Sequence, residues 1–323
     1  MRIELPMIVG AKLAFWRRSY ASLTFWEVLA KGKGRLLRPA LLWYRKGLQA
    51  AFRARNVCTR GAVVPVEVGG ISIHLLPEGQ IAYELWSGVR FERAELEFIL
   101  RLLRPGMTLF DVGANSGLYS ILAGKKMAEG CSIFAFEPCP STFTLLEKNI
   151  RSNHLSGIQA HRVALSEQSG EACMHVNAAW RDGLNSLQDP SHADADVIAR
   201  VQIQTETMDE FVVRKGIAKV DVMKVDVEGA ELLVFRGGRA LLNRPDAPVI
   251  LYEGYTRCTA CFHYHPAEIM WQLEEFGYEL FVLDVNTGQI RLRRPGESYD
   301  AKMVAVKPTH TRYAEIAPIK AAA

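Results

Sequence analysis

No stretch of this chain approaches the roughly 18 to 20 apolar residues that a membrane-spanning helix needs, so a transmembrane protein is not expected. Cysteine is sparse: six residues in 323, scattered, with only Cys258 and Cys261 closely spaced. A chain of this size with so few is not built on a disulfide framework, and a reducing compartment is expected. Arg17 and Arg18 interrupt the first apolar run and no small-residue cleavage site follows, so no secretory leader is expected. The G-x-G-x-x-G fingerprint of a nicotinamide dinucleotide site is missing as well, which argues against an oxidoreductase of that kind. With 49% hydrophobic and 23% charged residues, there is ample material for a buried core.

Charge is unevenly spread. Residues 1–60 hold thirteen Lys/Arg against only Glu4 and Glu27, while the whole chain is at +4, so the remainder is acidic. In residues 7–55, Leu13, Phe15, Trp16, Tyr20, Leu23, Phe25, Trp26 and Leu29 alternate with basic residues in a helical pattern. Two readings stay open for this extension: a helical cap packed on the body or on a second copy, and helices lying on an anionic membrane surface. Nucleic acid is not expected, since no recognised module accompanies the charge. The division expected is therefore a basic amphipathic extension over 1–60 and a catalytic domain over 61–323, with its core at 91–308.

Beyond the extension, residues 63–76 with Gly69-Gly70 read as a hairpin, and Phe91–Leu103 as an amphipathic helix stopped by Pro105-Gly106. Leu109, Phe110 and Val112 form a buried strand. The run Gly113-Ala-Asn-Ser-Gly117 is a sharp turn, and Leu118, Ile121 and Leu122 open a helix. Glycines there permit positive φ and close backbone approach to a ligand. A second strand, Ser132–Phe136, ends in Glu137, placed to take both hydroxyls of a ribose. Asp111 before the turn would repel a pyrophosphate but accept a cation or an amino group. A ribose, a cation and no phosphate describe S-adenosylmethionine.

Strands follow at Ile158–Leu165, Glu171–Val176, Arg200–Thr205, Val220–Val225, Val249–Glu253, Glu279–Asp284 and Lys302–Val306, with helices at Phe143–Ile150, Leu232–Leu242 and Pro266–Phe276. This alternation predicts an α/β fold with a mainly parallel sheet covered on both faces, closed by an antiparallel edge hairpin. The polar segment Trp180–Ala195 is too long for a simple turn and is expected to cover a site. In it, Asn185-Ser186 reads either as a contact to cofactor or acceptor or as a solvated turn.

The segments Asp111-Val-Gly-Ala-Asn-Ser-Gly117, Phe136-Glu-Pro138 and Lys224-Val-Asp-Val-Glu-Gly-Ala-Glu231, with Thr207-Met-Asp-Glu-Phe211 and Glu253, follow the order and spacing of the FkbM-type methyltransferases. The chain resembles that family over residues 80–306. The resemblance implies a Rossmann-like class I methyltransferase fold with a seven-stranded sheet, S-adenosylmethionine as cofactor, and transfer of methyl to a hydroxyl of a small-molecule or glycan acceptor such as a sugar, lipid or secondary metabolite. By the same resemblance Asp111, Gly113, Ala114, Asn115 and Gly117 lie on the methionine side of the cofactor. Glu137 and Pro138 lie at the ribose, and Val163 and Ala164 beside the adenine.

An acceptor hydroxyl needs a base or an electrostatic stabiliser, and open α/β sheets bind ligands at the carboxyl ends of their strands. Asp226, Glu228 and Glu253 are the candidates there. Glu228 and Glu231 also suit a helix N-terminus on charge grounds alone. Lys224, two residues before Asp226, shares its face and either steers the acceptor or pairs a carboxylate. These acids leave room for a divalent metal, but no ligand spacing demands one. Cys258-x-x-Cys261-x-His263-x-His265 reads three ways: a zinc site tighter than usual fingers, a substrate-facing loop that could supply His263 or His265 as base, or plain packing. No metal ligands are assigned. A cytoplasmic location is expected, membrane-peripheral if the extension touches membrane, and a catalytically silent methyltransferase-like scaffold is the non-enzyme alternative.

Overall fold

Apolar residues at consecutive positions of one strand must enter opposite faces of the sheet, and this chain supplies two cores to receive them. Leu109, Ile133, Ala135, Val222, Val249 and Leu251 enter one. Phe110, Phe134, Phe136, Met223, Ile250 and Tyr252 enter the other. The computed structural model describes residues 46–54, 56, 65–68, 70–87, 92–128, 130–178, 185–188, 197–294 and 296–317.

The chain begins, where described, with a helical segment at 46–54. Its Phe52 is buried and packs against Tyr83 and Trp86 at ring-centroid distances of 5.5 and 5.4 Å. The rest of the basic extension, with the membrane and self-association readings attached to it, lies outside the described residues. A hairpin follows, β1 (Pro65–Val68) and β2 (Ile71–His74), then α1 (Gln80–Ser87) and α2 (Arg93–Leu102). The central motif is β3 (Thr108–Val112), a glycine turn, and α3 (Leu118–Met127). After it come β4 (Ser132–Phe136), α4 (Pro140–Ser152), β5 (Ile158–His161), β6 (Ala164–Leu165), β7 (Gly170–Asn177), β8 (Val197–Glu206) and α5 (Met208–Lys215). The second half holds β9 (Val222–Val225), α6 (Glu231–Arg236), α7 (Arg239–Asn243), β10 (Val249–Gly254) and α8 (Thr256–Thr259). It ends with α9 (Pro266–Glu275), β11 (Glu279–Leu283), β12 (Ile290–Arg291), β13 (Ala301–Val306) and α10 (Tyr313–Ile316).

The large sheet runs β12-β11-β13-β10-β9-β3-β4-β5. Its β10, β9, β3, β4 and β5 are parallel, and β13, β11 and β12 are antiparallel additions. This is the expected α/β architecture, with three differences. The sheet has eight strands, because a two-residue strand, β12, joins the edge. The final strand, β13, inserts between β10 and β11 instead of forming the edge itself. The segment expected as one strand over Ile158–Leu165 breaks into β5, in the large sheet, and β6, in a separate sheet of order β6-β8-β7. Arg162 and Val163 lie between the two, and Leu165 is paired with Glu206 of β8. The helix expected over Leu232–Leu242 divides at Gly237-Gly238 for a packing reason. A Cβ on Gly237 would come within 2.0 Å of the Ser166 carbonyl oxygen, and one on Gly238 within 2.8 Å of the Met208 sulfur.

Candidate active site

At the carboxyl ends of β3, β4, β9 and β10 lies a cavity of about 600 Å³. Gly113 shapes its floor. Its φ of +75° suits glycine, and an added Cβ would fall 1.8 Å from the Asp226 carbonyl oxygen, so the β3 turn crosses the end of β9 only because no side chain intervenes. Asn115, at φ 50°, continues the turn; Asn tolerates this left-handed region better than most residues. The backbone N–H of Asn115 donates to Glu137 Oε2 at 2.9 Å, and that of Cys139 to Glu137 Oε1 at 2.9 Å. Glu137 is thereby held with one backbone donor on each oxygen, leaving each a lone pair for a ligand hydroxyl. Burial pushes its carboxyl up to about 7 against the pull of those two bonds.

Of the residues predicted for the cofactor, Gly113, Ala114, Asn115, Glu137, Pro138, Val163 and Ala164 line the cavity. Asp111 and Gly117 do not. Asp111 shares the inward face of Leu109 and is fully buried; its Oδ2 accepts from the Ser120 hydroxyl at 2.6 Å and the Ser120 N–H at 3.1 Å. It thus stabilises the first turn of α3 as a carboxylate at a helix N-terminus, beneath the cavity wall. Burial raises its carboxyl, with Lys224 opposing. Gly117, at φ +92°, is the N-cap of the same helix, where a Cβ would meet Leu146 Cδ1 at 2.5 Å.

The four residues predicted for the chemistry, Lys224, Asp226, Glu228 and Glu253, all line the cavity. Sheet register explains two pairings. Lys224 stands beside Asp111 of β3, and Glu253 of β10 opposite Lys302 of β13. Lys224 Nζ donates to the Gly113 carbonyl at 2.8 Å and lies 3.5 Å from Asp226 and 3.8 Å from Asp111. Although burial disfavours its charge, the two carboxylates outweigh that and raise it above the ordinary lysine value. Lys224 therefore stays an ammonium tying the glycine turn to the end of β9. For Asp226, burial works upward, but Lys224 and Lys302 together hold its carboxyl below the usual range. Glu228 is its opposite: burial and the neighbouring Asp226 charge raise it to about 8, while a hydrogen bond from the Cys258 thiol at 3.2 Å works against them. It also sits at φ 53°. Glu231, on the same turn, is buried and accepts from the Val227 N–H at 3.1 Å, a capping role outside the cavity.

Sequence reasoning missed Glu92, Tyr119, Tyr255, Arg257 and Lys302, which complete the wall. Lys302 pairs closely with Glu253 and lies 3.5 Å from Glu92 and 3.8 Å from Glu95. A lysine inside the otherwise apolar strand Ala-Lys-Met-Val-Ala-Val was the available signal. One carboxylate oxygen each from Glu92, Asp226 and Glu253 lies within 4.8 Å of the others, a donor set able to receive a divalent ion. The adjacent Lys302 ammonium already balances part of that charge.

The second sheet and the segment 185–188 close the cavity on one side through Met174, Asn185 and Leu187. Ser186 bridges to His175 of β7, with N–H to carbonyl distances of 2.8 and 3.1 Å, and its hydroxyl lies 3.2 Å from the Glu228 carbonyl. The described part of the polar segment therefore covers a site, as its composition predicts. The Cys258–His265 loop behaves differently. Cys258 bonds Glu228, Cys261 Sγ lies 3.5 Å from the Arg257 carbonyl, and His265 caps α9 through its Nδ1 at 3.2 Å from the Ala267 N–H. These engagements turn Cys258, Cys261 and His265 to separate tasks, and neither His263 nor His265 lines the cavity. Among the described residues they do not form a metal cluster.

A methyltransferase FkbM domain matches residues 111–280, more than half of the chain. The chain belongs to the FkbM methyltransferase family. Over the aligned stretches it is 28% identical to the 31-O-demethyl-FK506 methyltransferase FkbM of Streptomyces tacrolimicus, covering 42% of this chain and 60% of that one. It is 32% identical to the hexuronic acid methyltransferase AglP of Haloferax volcanii, covering 49% and 62%. It is 28% identical to Methyltransferase 1 of Beauveria bassiana, covering 40% and 57%. The chain thus spans about three-fifths of the length of these relatives. The FkbM domain contains the glycine turn, Glu137 and the Lys224–Glu253 wall; Glu92 and Lys302 lie outside it. No helix among the described residues is long and apolar enough to cross a membrane.

Proposed function

We propose that this protein is an S-adenosylmethionine-dependent O-methyltransferase acting on a hydroxyl of a small-molecule or glycan acceptor. The observation that carries the reading is a single cavity with two unlike sides. Glu137, fixed by two backbone donors, faces it from the end of β4, and Asp226, Glu228 and Glu253 face it from the ends of β9 and β10. The first side fits the cofactor. Glu137 retains lone pairs for the ribose hydroxyls, Val163, Ala164 and Leu165 offer an apolar flank for adenine, and the Gly113–Ser116 turn offers backbone close at hand.

When bound, the cofactor supplies a methyl on a positively charged sulfur. The protein's own work is to align an acceptor oxygen behind that methyl, since positioning is the main lever in such a displacement, and to manage the hydroxyl proton. Asp226, ionised beside Lys224, is suited to orient the hydroxyl and favour developing positive charge on it. Glu228, titrating near 8, is suited to accept the proton once ionised. Lys224 holds the turn and Asp226 in register, and its engagement with Gly113 and two carboxylates leaves it a positioning residue. A divalent metal is not required by this scheme, and the N-terminal extension remains a candidate contact for membrane or for a second copy.

Calorimetry with S-adenosylmethionine and with nicotinamide dinucleotide, followed by labelled-methyl transfer to fractionated cell extract, tests the reading. Binding of the first alone, abolished in Glu137→Ala, with label appearing as a methyl ether, is the expected result. Preference for the dinucleotide would overturn it, and cofactor binding without transfer to any fraction would favour a silent scaffold.

A further inference from the structure

The acceptor side of the cavity is partly built by residues outside the FkbM domain. Glu92 precedes it, at the start of α2, and Lys302 follows it, on β13; both line the cavity. Glu92 is fixed from two directions: the Tyr119 hydroxyl donates to its Oε2 at 2.9 Å, and Lys302 Nζ lies 3.5 Å from its Oε1. Lys302 is simultaneously engaged by Glu253 and Glu95. Glu92 also holds a left-handed φ of 42°, and of the six non-glycine residues with positive φ among the described residues, three, Glu92, Asn115 and Glu228, line this one cavity. Strain of this kind persists where surrounding contacts over-determine it.

An ionised carboxylate only accepts hydrogen bonds, about four per group. Tyr119 supplies one proton to this wall and Lys302 three, shared among Glu92, Glu95 and Glu253. Those four protons cannot fill the lone pairs of three carboxylates, so a bound molecule that brings donors of its own, in place of water, is favoured beside Glu92. Hydroxyls and ammonium groups do so. A carboxylate or phosphate at the same place would meet lone pairs with lone pairs and charge with like charge, which discriminates strongly between partners.

We propose that Glu92, held by Lys302 and Tyr119, is a specificity-determining residue that restricts the acceptor to a polyhydroxylated compound without negative charge. This rests on the methyltransferase reading above. It also implies that acceptor choice is set here by positions that the family domain does not include.

Three probes of one shape test it on the full chain saturated with S-adenosylhomocysteine: methyl glucoside, methyl glucosaminide and methyl glucuronide. Calorimetry is expected to show binding of the first two and at least tenfold weaker binding of the glucuronide. Glu92→Gln, which keeps the shape and removes the charge, should weaken the first two about tenfold, narrow the discrimination against the third, and leave the affinity for S-adenosylmethionine within twofold. Where methyl transfer is seen, the loss should fall on KM, with kcat within threefold. Glu92→Gly, whose backbone accepts the left-handed φ, should reproduce the loss with the thermal midpoint maintained, separating recognition from folding. Equal binding of the glucuronide, binding of none of the three, or unchanged affinities in Glu92→Gln would overturn the proposal. A wild-type chain unable to bind S-adenosylmethionine would instead strike the methyltransferase reading itself.

Discussion

The two sides of the cavity are built from different materials. The cofactor side is made mainly of backbone: Gly113 passing over β9, and the Asn115 and Cys139 N–H groups holding Glu137. The acceptor side is made of charged side chains, Glu92, Asp226, Glu228, Glu253, Lys224 and Lys302, brought from four places along the chain. Backbone geometry tolerates little change, because no other residue type supplies it. A charged wall can be altered one side chain at a time. On the proposed function, one side of the cavity therefore fixes what kind of reaction is run, and the other is free to choose its substrate.

The sharpest way to break that contrast is at Gly113. Gly113→Ala would set a Cβ 1.8 Å from the Asp226 carbonyl oxygen, at a φ of +75°. The turn must move, and a loss above about 4 kcal/mol in stability, with cofactor binding abolished, is expected. Gly106→Ala is the control. It has φ +84° and nothing within 4 Å, so only the left-handed backbone cost of about 1–2 kcal/mol applies and cofactor affinity should be unchanged. Chemical denaturation and calorimetry on the pair measure both quantities. Equal losses in the two variants would show that close approach to β9 is not what the glycine serves.

Asp226→Asn tests the other side. The amide keeps the shape, and Lys224 retains Asp111 and the Gly113 carbonyl. Turnover should fall roughly 10²-fold or more, within the range for a lost proton-handling or orienting group, while cofactor affinity changes little. Steady-state kinetics beside cofactor titration checks the split. A parallel collapse of cofactor affinity would mean that the two sides are not separable.

How much of this could be read from residues alone follows the same division. The Leu109–Leu122 strand, turn and helix, the strand Ser132–Phe136 and the position of Glu137 were legible because each is a local pattern whose geometry demands particular residue types. Asp111, expected at the cofactor by resemblance, turns its carboxylate to Ser120 and Lys224, and strand alternation alone does not decide this, because Lys224, its neighbour in register, lines the cavity. The meeting of Glu92 with Lys302 lay beyond reach for another reason. They meet only because β13 inserts beside β10 and α2 covers the same face, and nothing local in either segment encodes that meeting. The break between β5 and β6 was likewise invisible, since Ile158-Gln-Ala-His-Arg-Val-Ala-Leu165 holds no glycine or proline to mark a change of sheet.

One further expected effect is specific to Glu228. Its folded-state carboxyl titrates near 8, raised from the ordinary 4.5 first by burial and then by the Asp226 charge. A carboxyl raised on folding binds its proton more tightly in the folded chain. The stability it contributes is therefore complete below about pH 4.5 and is lost as pH climbs toward 8, at up to about 1.4 kcal/mol per pH unit between those limits. Glu228→Gln cannot titrate, and its amide oxygen can still accept from the Cys258 thiol. The difference in thermal midpoint between variant and wild type should accordingly move in the variant's favour from pH 5 to pH 8 and level off above. Glu137, raised to about 7 by burial, titrates in both proteins and cancels from the comparison. A difference that stays flat across that range would place Glu228 in water, not against Asp226, and would remove it from the role of proton acceptor.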